Sequence, residues 1–251
     1  MHNSLISLDV PPASQGVEAF EQPPVPPWRL LVKAVMAAGF AVGLLAANPT
    51  FAQASPHQNW TPMAAEPPVD FLGAPASRDA RLVAEWVVKT GDNHSLPFVI
   101  VDKKAAEVFV FNGQARLTGA TPALLGSARG DDSAAGVGER KLSDIRPQER
   151  TTPAGRFVAS LGYGLGKQDI LWVDYKAALA LHRVLAAGAR EHRLQQRASS
   201  PQDHRVTFGC INVPAAFYDD IVQPAFRASN GVVYILPEVK SISQVFFAAS
   251  S

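Results

Sequence analysis

The chain has 251 residues, 47% of them hydrophobic and 18% charged, a balance that supports a buried core and excludes a disordered chain. Its 23 Lys and Arg against 22 Asp and Glu leave a formal charge of +1, which argues against a nucleic-acid partner. With one cysteine, it can form neither an internal disulfide nor a zinc site built on several thiolates.

Residues 1–54 read as a leader and secretory signal. The first 28 residues are polar, proline-rich and aperiodic. Arg29 and Lys33 then supply positive charge, Ala34–Ala47 is an uncharged apolar run, and Ala52-Gln53-Ala54 offers small residues at cleavage-site spacing. The run is short of the ~20 residues a helical span needs. A cleaved signal therefore ranks ahead of an uncleaved membrane anchor or an internal core helix, and a membrane would be met only through an uncleaved segment. Either way the chain is read as exported, to the periplasm or cell envelope, where a lone thiol needs a reason to persist.

Residues 55–94 read as a linker with one short helix. The helix is Arg78–Lys89, with Leu82, Val83, Trp86 and Val87 on its apolar face and Gly91 ending it. Residues 95–240 read as a β-rich α+β domain, with 241–251 a C-terminal tail. Phe98–Val101 and Glu107–Phe111 are β-branched and aromatic strands, and Asn112-Gly113 predicts a two-residue hairpin turn that returns residues 114–126 as the next strand of a meander. Ser127–Thr151 is a long polar loop over one face of the sheet, the kind a compact domain keeps for function or motion. Its adjacent Asp131 and Asp132 are read as solvated, and neither metal nor cofactor is expected.

Thr152-Pro153-Ala154-Gly155 forms a tight turn into the strand Arg156–Leu161, and Ile170–Val173 is another strand. For Tyr175–Val184 the Ala and Leu content favours helix, while its short length and its neighbours favour strand. Gly188–Ala198 reads as a polar insertion. Pro214 starts a helix that Pro224 breaks near Val222, and Val232–Leu236 is the last strand.

Cys210 sits in Thr207-Phe208-Gly209-Cys210-Ile211-Asn212. It is a buried small hydrophobe, an intermolecular link or a reactive thiol. A helix starting at Pro214 would place its positive end near the sulfur and favour thiolate. A cysteine nucleophile needs a base in reach. Of the six histidines, His2 and His57 precede the domain, His94 lies in a turn, His192 lies among charges, and His204 lies in a loop entering a strand. Only His182 occupies an apolar segment, and it is either a core residue or that base.

These residues resemble the L,D-transpeptidase, or YkuD-type, catalytic domain. Thr207-x-Gly209-Cys210-Ile211-Asn212 is similar to its nucleophile motif, His182 to its upstream histidine, and Thr152-Pro153-Ala154-Gly155-Arg156-Phe157 to its Thr-Pro-x-Gly-x-Phe turn. The resemblance implies an L,D-transpeptidase-like β-sandwich with a few short helices, and it makes Tyr175–Val184 strand. It implies a cysteine acyltransferase on peptidoglycan stem peptides, in which Cys210 attacks at the third residue, D-alanine leaves, and an amine takes the acyl group. His182 would be base and then acid. Backbone N–H groups near Gly209 and Cys210 would hold the oxyanion, with Thr207 and Asn212 shaping the motif. Hydrolysis of the same acyl-enzyme, as an L,D-carboxypeptidase or amidase, and a non-catalytic wall-binding module are the alternatives. Arg183 and Arg205 are candidate grips for substrate carboxylates. The chain departs from the family at Phe208, where a second histidine is common, at Arg183, where Gly or Ser is common, and in the basic stretch Gly188–Pro201.

Overall fold

The computed structural model describes residues 69–164, 167–184 and 200–247. The leader and signal, the linker before residue 69 and the insertion at Gly188–Ala198 lie outside the described residues. Among the described residues, no helix is long and apolar enough to cross a membrane.

The β-rich α+β class expected from the sequence is the one that forms. The strands are β1 Phe98–Asp102, β2 Glu107–Phe111, β3 Leu117–Pro122, β4 Leu125–Gly126, β5 Gly155–Tyr163, β6 Asp169–Asp174, β7 Leu179–Arg183, β8 Arg205–Thr207, β9 Ile211–Val213 and β10 Gly231–Ile235. Eight of them make one sheet in the order β3-β2-β1-β10-β5-β6-β7-β9. Two antiparallel meanders, β1-β2-β3 and β5-β6-β7, are joined by β10, which runs parallel to β1 and antiparallel to β5. The sheet nearly closes on itself. Beyond β3, Leu124 exchanges backbone hydrogen bonds with Asn212 of β9, at 2.8 and 2.9 Å. β4 and β8 form a separate parallel pair.

Alternation along the strands sorts the side chains into two cores. Val99 and Val101 of β1, Val108 and Val110 of β2, Leu171 of β6, Leu179 and Leu181 of β7 and Ile211 and Val213 of β9 face one another across the interior. Phe98, Ile100, Phe109, Phe111, Val232 and Tyr234 face outward and are covered by a helix, α1. β1, β2 and β10 are thus buried on both faces.

α1, Arg78–Thr90, is capped by the Ser77 side chain and closed by Gly91. Its buried stripe is Ala80, Val83, Ala84 and Val87, while Leu82, expected on the apolar face, is exposed. The helix read as part of a linker is therefore packed into the outer core, as are Phe71 before it and Ile242 and Phe246 in the C-terminal stretch.

Two expectations of the local chain need correction. Asn112-Gly113 does not make a two-residue turn: Asn112 Oδ1 accepts from the N–H groups of Gln114 and Arg116, both at 3.0 Å, and stabilises a longer loop. Pro224 does not end the helix. α2, Ala215–Phe217, passes through a π-turn, Tyr218–Val222, into α3, Gln223–Phe226. The wider turn accommodates a ring that would otherwise clash with the carbonyl four residues back, and Tyr218, Val222 and Phe226 stay on one face toward the interior core. Tyr175–Val184 is a turn followed by β7, as the family resemblance implies and against its helical composition.

Candidate functional site

The pairing of β7 with β9 places the two candidate residues. The strands run parallel with Leu181 opposite Ile211 and His182 opposite Asn212. Leu181 and Ile211 point into the core. His182 and Asn212 therefore point to the other face, and Cys210 lies just before β9, in hydrogen-bonding reach of the backbone of Ala178 and Ala180 at the entry to β7. The β7–β9 pairing thus brings the segments that carry His182 and Cys210 side by side.

His182 is half-buried, and its Nδ1 lies 2.8 Å from the Arg183 carbonyl oxygen. A carbonyl only accepts, so Nδ1 carries the proton and Nε2 presents a lone pair. Burial lowers the pKa of the imidazole, against the pull of that same carbonyl, so the ring rests neutral.

Cys210 is half-buried, and its thiol hydrogen-bonds to the Ala178 carbonyl oxygen at 3.6 Å. Burial raises its pKa, with backbone hydrogen bonding from Ala180 opposing. At rest the raised pKa keeps the thiol protonated, against the expected thiolate, and among the described residues no hydrogen bond joins it to the imidazole. The helix argument fails for a geometric reason. β9 lies between Cys210 and α2, carrying the chain about 10 Å away.

The residues around the cysteine fix its backbone. Thr207 Oγ1 donates to the Cys210 carbonyl at 2.7 Å and accepts from the Gly209 N–H at 3.1 Å. Thr207 thus shapes the motif as expected of it, but it also occupies the Gly209 N–H, which is not available as an oxyanion donor. Gly209 has φ +137°, and a Cβ there would sit 2.8 Å from the Thr151 carbonyl oxygen. The Gly209 carbonyl accepts from Thr152 Oγ1 at 2.7 Å, and the same hydroxyl accepts from the Gly126 N–H at 2.9 Å. The first residue of the Thr-Pro turn is therefore the buried tie between β4 and the Gly-Cys segment. The sequence reading gave that turn no such role, although the threonine was in plain view.

The Ser127–Thr151 loop forms the wall opposite the cysteine. It winds through three short 3-10 turns, Val137–Glu139, Leu142–Asp144 and Pro147–Glu149. Gly138 lies so close to the β6–β7 turn that a Cβ would fall 2.3 Å from the Lys176 carbonyl oxygen. Between loop and sheet lies a cavity of about 80 Å³ walled by Cys210, Phe208, Ala178, Val137, Arg140 and Glu149. His182 is not part of that wall. Phe208, in place of a second histidine, lies under the Arg150 guanidinium, 4.1 Å from ring centre to carbon.

The base of the loop is locked by buried charge. Asp131, read from sequence as solvated, is 5% exposed. It pairs with fully buried Lys103 at 2.7 Å and accepts from the N–H groups of Glu238, Val239 and Lys240. Burial alone would raise its pKa, but the lysine and the three N–H donors outweigh burial and hold it at about 2. Asp132 is exposed and pairs with Lys240 at 2.6 Å. Among the described residues, no cluster of His, Cys, Asp and Glu is arranged to hold a metal.

Neither arginine proposed for substrate is placed to bind one. Arg205 is 6% exposed at its side chain and clasps Glu238 with both terminal nitrogens, at 3.1 and 2.6 Å. Arg183 bonds Asp219 through Nε at 2.7 Å and Asp169 through Nη1 at 3.1 Å, and lies 4.2 Å over the Tyr218 ring. Both guanidinium groups are committed inside the domain. Asn212, opposite His182 in the register, is 7% exposed, and its Oδ1 is buried without a hydrogen-bond partner among the described residues.

No protein-family model and no curated protein matches the chain. Solved structures similar to it include a variant of the helical cell shape determining protein Pgp2 from Campylobacter jejuni, 14% identical, with a TM-score of 0.41, covering 66% of this chain and 58% of that one. An L,D-transpeptidase from Xylanimonas cellulosilytica is 14% identical over 56% of this chain and 60% of that one, with a TM-score of 0.35. An L,D-transpeptidase from Mycobacterium smegmatis is 17% identical over 55% and 58%, with a TM-score of 0.32. The matched part spans about three fifths of the length of each of these structures.

Proposed function

We propose that the chain is an exported cysteine acyltransferase of the L,D-transpeptidase type that acts on peptidoglycan stem peptides at the cell envelope. The observation that carries the reading is the β7–β9 register. It lays the His182 segment beside the segment that carries Cys210, and the Arg183 carbonyl beside His182 Nδ1 leaves Nε2 to act as base.

A neutral thiol and a neutral imidazole define a general-base route. The Cys210 side chain turns from the Ala178 carbonyl toward Nε2, and its proton passes to His182 as sulfur attacks the carbonyl carbon of the third stem residue. The backbone N–H of Cys210 takes the developing oxyanion. The C–N bond breaks, the imidazolium proton goes to the leaving amine, and D-alanine departs from a Cys210 thioester. An incoming amine gives its proton to His182 and attacks the thioester, the C–S bond breaks, and the thiolate recovers the proton. Export rests on the charged, apolar and small-residue stretch from Arg29 to Ala54.

The test is incubation of the full chain with tetrapeptide-stem muropeptides, and separately with a carbapenem, followed by intact-mass spectrometry. An acyl adduct on the wild-type chain that vanishes in Cys210→Ala and falls sharply in His182→Gln supports the reading. Cross-linked dimers as products mark transfer, and free tripeptide stems mark hydrolysis. A chain that releases no D-alanine and forms no adduct overturns it.

A further inference from the structure

Arg140 belongs to the wall of the cavity that holds Cys210. Its Nη1 donates to Glu149 Oε2 at 2.9 Å. Its Nε and Nη2 are buried and have no hydrogen-bond partner among the described residues. Those two N–H groups project side by side from one edge of the planar guanidinium, the edge that grips both oxygens of a carboxylate. Buried donors in folded proteins are nearly always paired, so an orphan pair on one edge asks what fills it. The neighbouring arginines leave no such edge. Arg183 and Arg205 are saturated by acids, and Arg150 lies over Phe208 with its Nε donating to the Ile145 carbonyl at 3.2 Å.

Given the acyl transfer proposed at Cys210, on which this step rests, we infer that Arg140 binds a free carboxylate of the acyl donor. Glu149 holds Nη1 and so fixes the plane of the guanidinium, and the Nε–Nη2 edge, buried and unpaired at rest, takes the ligand. The cavity lies against Cys210, so the carboxylate it takes is one borne close to the scissile bond. It is either the C-terminus of the leaving residue or the side-chain end of the third residue. The chemistry is the same, and the experiment separates the sources. Arg140 is a specificity residue of the Ser127–Thr151 loop, which gives that loop a task beyond covering the cysteine.

The experiment is titration calorimetry on the full chain carrying Cys210→Ala, with three synthetic tetrapeptide stems: all carboxylates free, C-terminus amidated, or side-chain carboxylate of the third residue amidated. One of the two amides should bind about 10- to 100-fold more weakly than the free acid, the loss of a bidentate charge-assisted pair. Adding Arg140→Lys, which keeps the charge and loses the edge, should weaken the free acid to the level of that amide and leave the amide unchanged. Equal binding of all three stems by the parent, no binding of any, or free-acid affinity unaltered in Arg140→Lys and Arg140→Gln overturns the inference. The comparison of acid with amide needs no Arg140 variant, so a folding defect cannot mask it. Turnover by the chain with Cys210 intact is scored separately. D-alanine release without discrimination between acid and amide sinks the Arg140 assignment alone. Discrimination without thioester sinks the acyl-transfer reading alone.

Discussion

Replacing Thr152 by valine removes one hydroxyl from the fully buried junction that ties the Gly-Cys segment to β4. Two buried partners lose their bond, the Gly126 N–H at 2.9 Å and the Gly209 carbonyl at 2.7 Å. A buried donor or acceptor stripped of its partner costs about 1–3 kcal/mol. The carbonyl tolerates this better than the N–H, so about 3 kcal/mol is expected for the pair. Thr152→Ser keeps the hydroxyl and deletes a methyl, at about 1 kcal/mol, and the difference between the two variants isolates the bonds. Urea unfolding midpoints measure it. The second readout is reactivity. With its carbonyl released, Gly209 is free to leave φ +137°, and the thiol moves with it. A displacement of about 1 Å can cost around a hundredfold in a positioned reaction, so thioester formation should fall at least about tenfold in Thr152→Val and little in Thr152→Ser. Valine and serine variants of equal stability and equal Cys210 acylation would refute the assignment of Thr152 as the tie.

Three further outcomes follow from the same geometry. Asp131→Asn leaves Lys103 buried with only Glu238, at 3.7 Å, for charge, and should cost about 3–5 kcal/mol. The wild-type carboxyl is depressed from 3.8 to about 2, so its stabilisation is complete above pH 3.8 and is lost as pH falls toward 2, about 2 kcal/mol in all. Urea midpoints between pH 2 and 5 should therefore fall more steeply in the wild type than in the variant. Gly209→Ala forces a Cβ against the Thr151 carbonyl in a backbone region that side chains avoid, and should lower stability by about 1–3 kcal/mol while displacing Cys210, read by unfolding and by alkylation rate. Finally, the raised thiol pKa means that the native state holds its proton more tightly than the unfolded chain. Stability should decline as pH rises past the ordinary thiol value, and iodoacetamide should label the folded protein at a higher pH than the unfolded one. Half-maximal labelling of the native chain below neutral pH would show the opposite.

What the sequence disclosed, and what it hid, divides along the range of the interactions involved. Strands β1, β2, β6 and β10 were legible because β-branched and aromatic runs carry their own local preference. β7 was not, since Ala178–Val184 is good helical material, and only its place between β6 and β9 makes it strand. The pair Cys210 and His182 was legible as residue types in order. Their chemistry was not, because whether a thiol is neutral depends on burial, and burial depends on a sheet that nearly closes through Leu124 and Asn212.

The arginines show the same division most sharply. Arg183 and Arg205 stand next to the motif in sequence and looked available, yet each is satisfied by acids remote in the chain, Asp219 and Glu238. Arg140, in a polar stretch with no motif, shares a cavity wall with the cysteine and has its Nε and Nη2 buried and unpaired among the described residues. Sequence reports which residues can grip a carboxylate; only the fold's own ion pairs determine which of them still has an edge to offer. A site read from a motif alone will therefore tend to name the charged residues nearest the nucleophile. Here those neighbours are neutralised by acids that the fold brings in from the helical segment and from the stretch after β10.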